Sequence, residues 1–144
     1  MKLLYSNLLP LGTEEDQETI IDCLYSQISK ADEIKIAVGY TSAASIDEIE
    51  RLVEKYKIKN VCLTIGMYYI EGMPEGAYHA SLKLNQKWNE SGIGEIRIVK
   101  SFKYHGKVYC FYKNGVPFSA IIGSANLGAI KLEAANRRQY ELAA

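Results

Sequence analysis

An Asn-Gly pair between two apolar runs is the feature that most constrains the fold of this chain. Residues Val108–Lys113 alternate in character, Asn114-Gly115 follow, and a second run extends over Val116–Ile122. Asn-Gly readily adopts the left-handed backbone of a two-residue turn, so this pattern is the strongest short-range signal of a β-hairpin. The sequence therefore predicts two antiparallel strands over residues 108–122.

Four polar residues flank the predicted hairpin. His105 and Lys107 precede it, and Ser124 and Asn126 follow it. Side chains two residues apart on an extended segment point to the same face, so the histidine and the lysine share one side. Pairing of the two strands would bring an imidazole, an ammonium, a hydroxyl and a carboxamide together. We expect such a set to bind an anion, and specifically a phosphate.

These residues resemble a known signature. His105-Gly-Lys107 and Gly123-Ser124-Ala125-Asn126 are similar to the HxK…GS(x)N motif of the phospholipase D superfamily, which includes metal-independent phosphodiesterases. The longer run YHGKVYCFYKNGVPFSAIIGSANLG resembles more narrowly the catalytic domains of restriction endonucleases of the NgoFVII and BfiI type. The detailed likeness covers about residues 104–141, and the remainder agrees in the order of strands and helices.

The resemblance implies a role for each motif residue. His105 would be the nucleophile and would form a covalent phosphohistidine. Lys107 would hold the non-bridging phosphate oxygens as a point charge, and Asn126 would donate a side-chain N–H to the same oxygens. Ser124 would brace the site. In the related nucleases a downstream glutamate accepts a hydrogen bond from the nucleophilic histidine.

Glu141 is our candidate for that glutamate, and Glu133 is the alternative. Hydrogen bonding of one ring nitrogen to a carboxylate fixes the tautomer of an imidazole, which leaves the other nitrogen free to attack. Glu141 falls in a predicted strand after the asparagine, whereas Glu133 falls in a predicted exposed loop.

The chain has one HxK motif, whereas the chemistry of the superfamily uses two histidines. The other histidine, His79, has no lysine two positions on, and we expect it to be an ordinary helix residue. A single motif implies a symmetric homodimer with one site across the two-fold axis, where the two copies of His105 act as nucleophile and general acid. The superfamily's aspartate, five residues after the lysine, is replaced by Tyr112. The related nucleases also lack it, and its absence argues against a lipid-directed phospholipase.

Outside the hairpin, hydrophobic periodicity predicts alternating helices and strands. The predicted elements are a helix from an N-cap at Thr13 to Ser29, a strand Ile34–Tyr40, a helix from a capping box at Ser45 to Tyr56, a strand Val61–Met67, a helix that follows a loop marked by Pro74 and Gly76 and extends to about Asn89, a strand Ile96–Val99 and a final short strand near Tyr140. Alternation of this kind implies crossover connections. We therefore predict an α/β fold with a mixed, mostly parallel sheet, flanked by helices on both faces, in which the hairpin carries the motif.

The composition is that of one globular domain, with 144 residues of which 48% are hydrophobic and 24% charged. Three cysteines, Cys23, Cys62 and Cys110, lie in apolar stretches and are expected to be reduced core residues. We find neither an apolar run of membrane-spanning length nor a signal-peptide pattern, so we expect a cytoplasmic protein without membrane association.

Charge is unevenly distributed although the net charge is +0. Residues 13–54 contain eleven acidic and three basic residues, whereas residues 96–132 contain six basic residues and no acidic one. The basic segment coincides with the motif, which favours an anionic substrate such as DNA.

The function expected from the sequence is that of the catalytic domain of a metal-independent type II restriction endonuclease. No Asp-x-Glu-x-Lys-like motif and no His/Cys cluster with ligand spacing is found, so we predict neither a metal nor another cofactor. The strand pattern Arg138–Leu142 runs to the end of the sequence, from which we expect residues 1–144 to be an excised domain followed by a DNA-recognition domain. Two alternatives stay open, namely an inactive DNA-binding module of the same fold and a phosphodiesterase for RNA or small diesters.

Overall fold

The computed structural model describes residues 1–7, 12, 14–130 and 140–144. Its elements, in chain order, are β1 (Leu4–Tyr5), β2 (Glu18–Thr19), α1 (Ile20–Lys30), β3 (Glu33–Val38), α2 (Ala43–Lys55), β4 (Asn60–Ile65), α3 (Glu75–Ser91), β5 (Gly94–Ile98), β6 (Val108–Lys113), β7 (Val116–Ile122), a 3-10 turn (Leu127–Ile130) and β8 (Leu142–Ala143).

The larger sheet has five strands in the order β5-β4-β3-β6-β7. Strands β5, β4 and β3 are parallel, while β6 is antiparallel to both β3 and β7. Parallel and antiparallel pairings are therefore equal in number, and the predicted mostly parallel sheet is wrong. The reason is that the connection from β5 to β6 contains no helix and returns the chain in the opposite direction.

That connection, residues 99–107, crosses one edge of the sheet. The backbone N–H of Tyr104 donates to the carbonyl of Gly66, 3.1 Å away, directly after β4. A Cβ on Gly66 would lie 2.2 Å from the carbonyl oxygen of Tyr104, so only glycine permits the crossing. At this edge lie the carboxyl ends of β3, β4 and β5, together with the start of β6 and the end of β7.

The core lies on one face of the sheet. In β3, Ile34, Ile36 and Val38 are buried, whereas the alternate residues are not. The buried strand residues and the apolar stripes of α1, α2 and α3 form a single cluster. The described helices therefore cover one face, and the expectation of helices on both faces is wrong for the described part of the chain.

A smaller sheet, in the order β2-β1-β8, borders the larger one. Gly123 bridges Ala143, and Ile122 and Ala144 exchange two backbone hydrogen bonds of 2.8 Å each. The C-terminal residues 141–144 consequently lie beside the end of β7.

Two predicted helix starts are wrong. Helix α1 begins at Ile20, where the Thr19 side chain accepts a hydrogen bond from the Asp22 N–H; Thr13 itself lies outside the described residues. Helix α2 begins at Ala43, because Ser42 is the N-cap and Ser45 bonds back to its N–H. In both cases two hydroxyl residues near the start of the helix could serve as its N-cap, and the one that the pattern indicates is not the one that caps the helix.

All three cysteines are free thiols, but only Cys23 is buried, while Cys62 and Cys110 are half-buried. None of the helices in the described ranges has the length and apolarity needed to cross a bilayer.

Candidate active site

The predicted site residues meet at the sheet edge where β6 begins and β7 ends. His105 and Lys107 directly precede β6 and do not lie within it, so the expectation that the hairpin strand itself carries them is not confirmed. The hairpin pairs Val108 with Ile122, which sets residues 105–107 beside the Gly123–Asn126 segment. Open α/β sheets commonly bind ligands at the carboxyl ends of their parallel strands, and this is the same edge.

His105 and Lys107 are in direct contact. The Nζ of Lys107 lies 3.0 Å from His105 Nε2 and 2.7 Å from the His105 carbonyl oxygen. When Lys107 is an ammonium group, which can only donate, Nε2 accepts this hydrogen bond and carries the lone pair. The nitrogen able to act as a nucleophile is thus the one beside the cation.

The two side chains differ in their exposure. Lys107 is buried, with 6% of its surface exposed, whereas His105 is exposed. Burial lowers the pKa of Lys107, and the nearby Glu141 carboxylate partly opposes this shift. A buried cation lacks the full hydration that it would have in water, so an anion arriving beside it restores part of the lost solvation.

Asn126 is held by the loop that follows β3. Its Oδ1 accepts hydrogen bonds from the backbone N–H of Gly39 at 3.1 Å and of Tyr40 at 3.0 Å. Two N–H donors fix which end of the carboxamide is oxygen. The NH₂ group has no hydrogen-bond partner among the described residues, so it remains available to a ligand.

Gly39 brings Asn126 close to His105. A Cβ placed on Gly39 would lie 3.3 Å from Asn126 Oδ1 and 3.3 Å from His105 Cδ2. The carboxamide and the imidazole therefore both pack close to the backbone of Gly39. Lys107 and Asn126 thus place an ammonium group and a carboxamide next to the exposed His105 side chain.

Ser124 uses its hydroxyl to hold the C-terminal strand. Its Oγ accepts from the N–H of Leu142 at 3.1 Å, and the backbone N–H of Ser124 donates to the carbonyl of Leu142 at 2.9 Å. These hydrogen bonds hold Ser124 beside Leu142, the residue that directly follows Glu141.

Glu141 lies near Lys107 but makes no hydrogen bond to His105 in this structure. Its carboxylate charge counteracts the lowering of the Lys107 pKa and contributes to raising that of Tyr109, so it is close to both groups. Its backbone N–H donates to Ser6 Oγ at 2.9 Å, which ties β8 to the segment after β1. Glu133, the alternative, lies outside the described residues.

Tyr109 is a supporting residue whose role sequence reasoning missed. It is 1% exposed, and its hydroxyl donates to the carbonyl of Ala125 at 2.8 Å. Burial, followed by the charge of Glu141, raises the pKa of its phenol. The hydrogen bond holds the segment between Ser124 and Asn126.

Comparison with known protein families identifies the family of this chain. A family model described as the NgoFVII restriction endonuclease N-terminal PLD domain matches residues 18–144. The chain belongs to this family. The match covers the segment that contains all five predicted site residues, and the resemblance drawn from the motif is confirmed. No curated protein matches the chain at a significant level.

Within this restriction endonuclease PLD domain, the loop after β3 is the part of the site without a sequence signal. Gly39 and Tyr40 supply the backbone donors to Asn126, and the ring of Tyr40 stands edge-to-face to His105, with centroids 6.2 Å apart. The hydrogen bond from Tyr40 to Asn126 joins residues 86 apart in the sequence, and no local motif records a backbone donor or a ring contact over such a separation.

The second histidine stands on α3. His79 Nε2 lies 3.6 Å from Glu75 Oε1, one helical turn earlier, and both side chains are exposed. This is the environment predicted for an ordinary helix residue. Within the described ranges, histidine, cysteine, aspartate and glutamate side chains form no group of three or more that could hold a metal ion.

Proposed function

We propose that this domain hydrolyses DNA phosphodiester bonds without a metal ion, through a phosphohistidine on His105. The observation that carries the proposal is the 3.0 Å contact between Lys107 Nζ and His105 Nε2, which sets a ring nitrogen of the proposed nucleophile beside a buried cation. Family membership supports DNA as the substrate. A metal-free mechanism needs fixed positive charge where the phosphate oxygens gather charge, and Lys107 supplies it.

In the first step the lone pair of Nε2 attacks phosphorus and forms a P–N bond. The P–O bond to the departing strand breaks, and its oxygen takes a proton from a general acid. In the second step the same acid, now a base, removes a proton from water, which attacks phosphorus and breaks the P–N bond. Lys107 and the NH₂ group of Asn126 bind the non-bridging oxygens in both steps.

The general acid in this proposal is His105 of a second copy of the chain. Only one histidine of the chain lies at the site, since His79 stands on α3. His105 is exposed, so it is accessible to a partner. We propose a symmetric homodimer in which both copies of His105 and Lys107 face one phosphate.

Glu141 is proposed to orient His105 once DNA is bound, because its carboxylate already lies near Lys107. Ser124 is proposed to position it by holding Leu142. Sequence recognition is assigned to a C-terminal domain of the full protein, consistent with the N-terminal position that the family description gives to this domain.

The test is cleavage of duplex DNA in excess EDTA by three proteins: wild type, His105→Ala and His79→Ala. His79→Ala is the matched control, because it removes the other histidine from an exposed helix position. Cleavage should persist in EDTA, survive His79→Ala and disappear in His105→Ala. Cleavage that EDTA abolishes would rule out the metal-free mechanism.

Two further experiments distinguish the proposed nuclease from the two alternative functions. Faster hydrolysis of RNA or of a chromogenic diester than of DNA would make the domain a general phosphodiesterase. Binding of DNA without cleavage by the full protein would make it an inactive binding module. Sedimentation measures the assembly, for which we expect a dimer, and a strictly monomeric active protein would contradict the shared site.

A further inference from the structure

We propose that Tyr40 is a positioning residue that acts on both His105 and Asn126. This inference rests on the proposed function, because it assigns a role in holding the nucleophile and the phosphate donor. Tyr40 belongs to no motif, and its part in the site emerges only from the packing of the loop after β3.

The ring of Tyr40 restrains the imidazole. Their centroids are 6.2 Å apart and the ring planes are inclined by 78°. In this edge-to-face arrangement the positive edge of one ring meets the negative face of the other. His105 is exposed, and within the described part of the chain its ring nitrogens bond only to Lys107. Tyr40 therefore supplies a second restraint on a ring that a single hydrogen bond would leave free to tilt.

Tyr40 is itself held in place. The ring of Tyr68 lies edge-to-face to it, with centroids 5.4 Å apart and planes at 78°. The Tyr68 hydroxyl donates to the carbonyl of Thr41 at 2.8 Å and accepts from its N–H at 3.1 Å. The Thr41 side chain lies 2.9 Å from the buried hydroxyl of Ser45. Two hydrogen bonds and a buried hydroxyl pair thus fix the backbone next to Tyr40.

The backbone of Tyr40 also acts on Asn126. Its N–H donates to Asn126 Oδ1 at 3.0 Å, so one residue contacts the nucleophile through its ring and the phosphate donor through its amide. A displacement of Tyr40 would shift both groups relative to each other. The relative position of these two groups should affect the rate of the chemical step more than the affinity for a long polymeric substrate.

The test compares Tyr40→Phe, Tyr40→Leu and Tyr68→Phe with the control Tyr78→Leu. Tyr78 also stands beside a histidine, with its ring 5.7 Å from that of His79 on α3, but away from the motif. Tyr40→Leu should lower kcat for DNA cleavage about tenfold and change KM less than twofold, since ring orientation enters the transition state. Tyr40→Phe, which keeps the ring, should retain activity. Tyr68→Phe should have an intermediate effect because it frees the Thr41 backbone, and Tyr78→Leu should have none.

A second readout does not depend on activity. Carbon relaxation of the His105 ring, measured by NMR in the free protein, should report a lower order parameter in Tyr40→Leu and no change in Tyr40→Phe or Tyr78→Leu. A rise in KM with unchanged kcat would make Tyr40 a substrate contact and overturn the inference. An unchanged His105 order parameter in Tyr40→Leu would also overturn it. Failure of the proposed function appears differently, as a wild-type protein that does not cleave DNA.

Discussion

Replacement of Asn126 by aspartate separates the structural role of this side chain from its functional one. The Oδ1 atom accepts from Gly39 N–H at 3.1 Å and Tyr40 N–H at 3.0 Å, and a carboxylate oxygen can accept both bonds. The other half of the group changes from a donor NH₂ to a negatively charged oxygen. Asn126→Asp should therefore fold as stably as wild type and fail to bind the phosphate in its transition state.

The magnitudes follow from the same contacts. Loss of one donor to a developing oxyanion lowers kcat by about 10²–10³, and a like charge facing phosphate adds to that loss, so we expect a fall of at least about 10³. Asn126→Ala removes the acceptor of two backbone N–H groups, one of them on buried Gly39, which should cost about 2 kcal/mol of stability. The aspartate variant should thus be the more stable of the two and at least equally inactive.

The assay pairs urea denaturation with single-turnover DNA cleavage. Asn85→Asp is the matched control, because Asn85 Oδ1 also accepts a backbone N–H, that of Ile96 at 2.7 Å, but on α3. It should keep full activity. Activity of Asn126→Asp within tenfold of wild type would refute the reasoning, because the NH₂ group would then have no part in binding phosphate.

Three other predictions concern the surroundings of the motif. Gly39→Ala should fold without backbone strain, since Gly39 has no positive φ, but its Cβ would lie 3.0 Å from Met67 Cγ and 3.3 Å from both Asn126 Oδ1 and His105 Cδ2. The flexible Met67 side chain can move away, whereas displacement of Asn126 or His105 should lower kcat about tenfold. Gly76→Ala, whose Cβ would meet only a contact at 3.9 Å, is the active control. Tyr109→Phe leaves the Ala125 carbonyl without its 2.8 Å donor and should lower the free energy of unfolding by about 1–2 kcal/mol in urea titrations; an unchanged midpoint would contradict this. Burial lowers the pKa of Lys107, so cleavage should decline as pH rises through a value below the ordinary 10.5, whereas Lys107→Arg, which keeps its charge, should lack that decline.

The lowered pKa of Lys107 also predicts how the free energy of unfolding depends on pH. When the folded pKa of a lysine lies below its unfolded value, the unfolded chain binds more protons between the two values, and stability increases with pH in that window. The cost of burying the Lys107 ammonium is present below the lowered pKa and disappears as the group deprotonates. The stability of wild type relative to Lys107→Met should therefore increase with pH between the lowered pKa of Lys107 and its ordinary value of 10.5. A constant difference up to pH 10.5 would contradict the assigned burial cost.

Local chemistry explains what the sequence could predict. Asn114 and Gly115 adopt positive φ values of 52° and 75°, as a two-residue hairpin turn requires, and both flanking strands have the predicted bounds. The His105–Lys107 contact was likewise predictable, because two residues at spacing two on an extended segment share a face. Features that depend on residues close together in the sequence can be predicted before the fold is known.

Contacts between residues that are distant in the sequence explain what the sequence could not predict. Asn126 is bound by backbone amides of Gly39 and Tyr40, and a backbone donor has no residue identity that a motif could reveal. The direction of β6 depends on the helix-free crossing over Gly66, which periodicity does not encode. Hydrophobic periodicity does not locate the starts of α1 and α2, because the capping hydroxyls are those of Thr19 and Ser42 and other hydroxyl residues stand nearby in the sequence.

The central claim is that His105 attacks phosphorus, and capture of the intermediate tests it most directly. End-labelled duplex DNA would be mixed with the protein in excess EDTA, quenched with alkali during the first turnover, and analysed by denaturing gel and mass spectrometry. We predict a DNA–protein adduct that is stable to alkali, labile to acid and attached to His105, and that is absent from His105→Ala but present in His79→Ala. Cleavage that proceeds at full rate with no adduct at any time, or an adduct on another residue, would contradict the account.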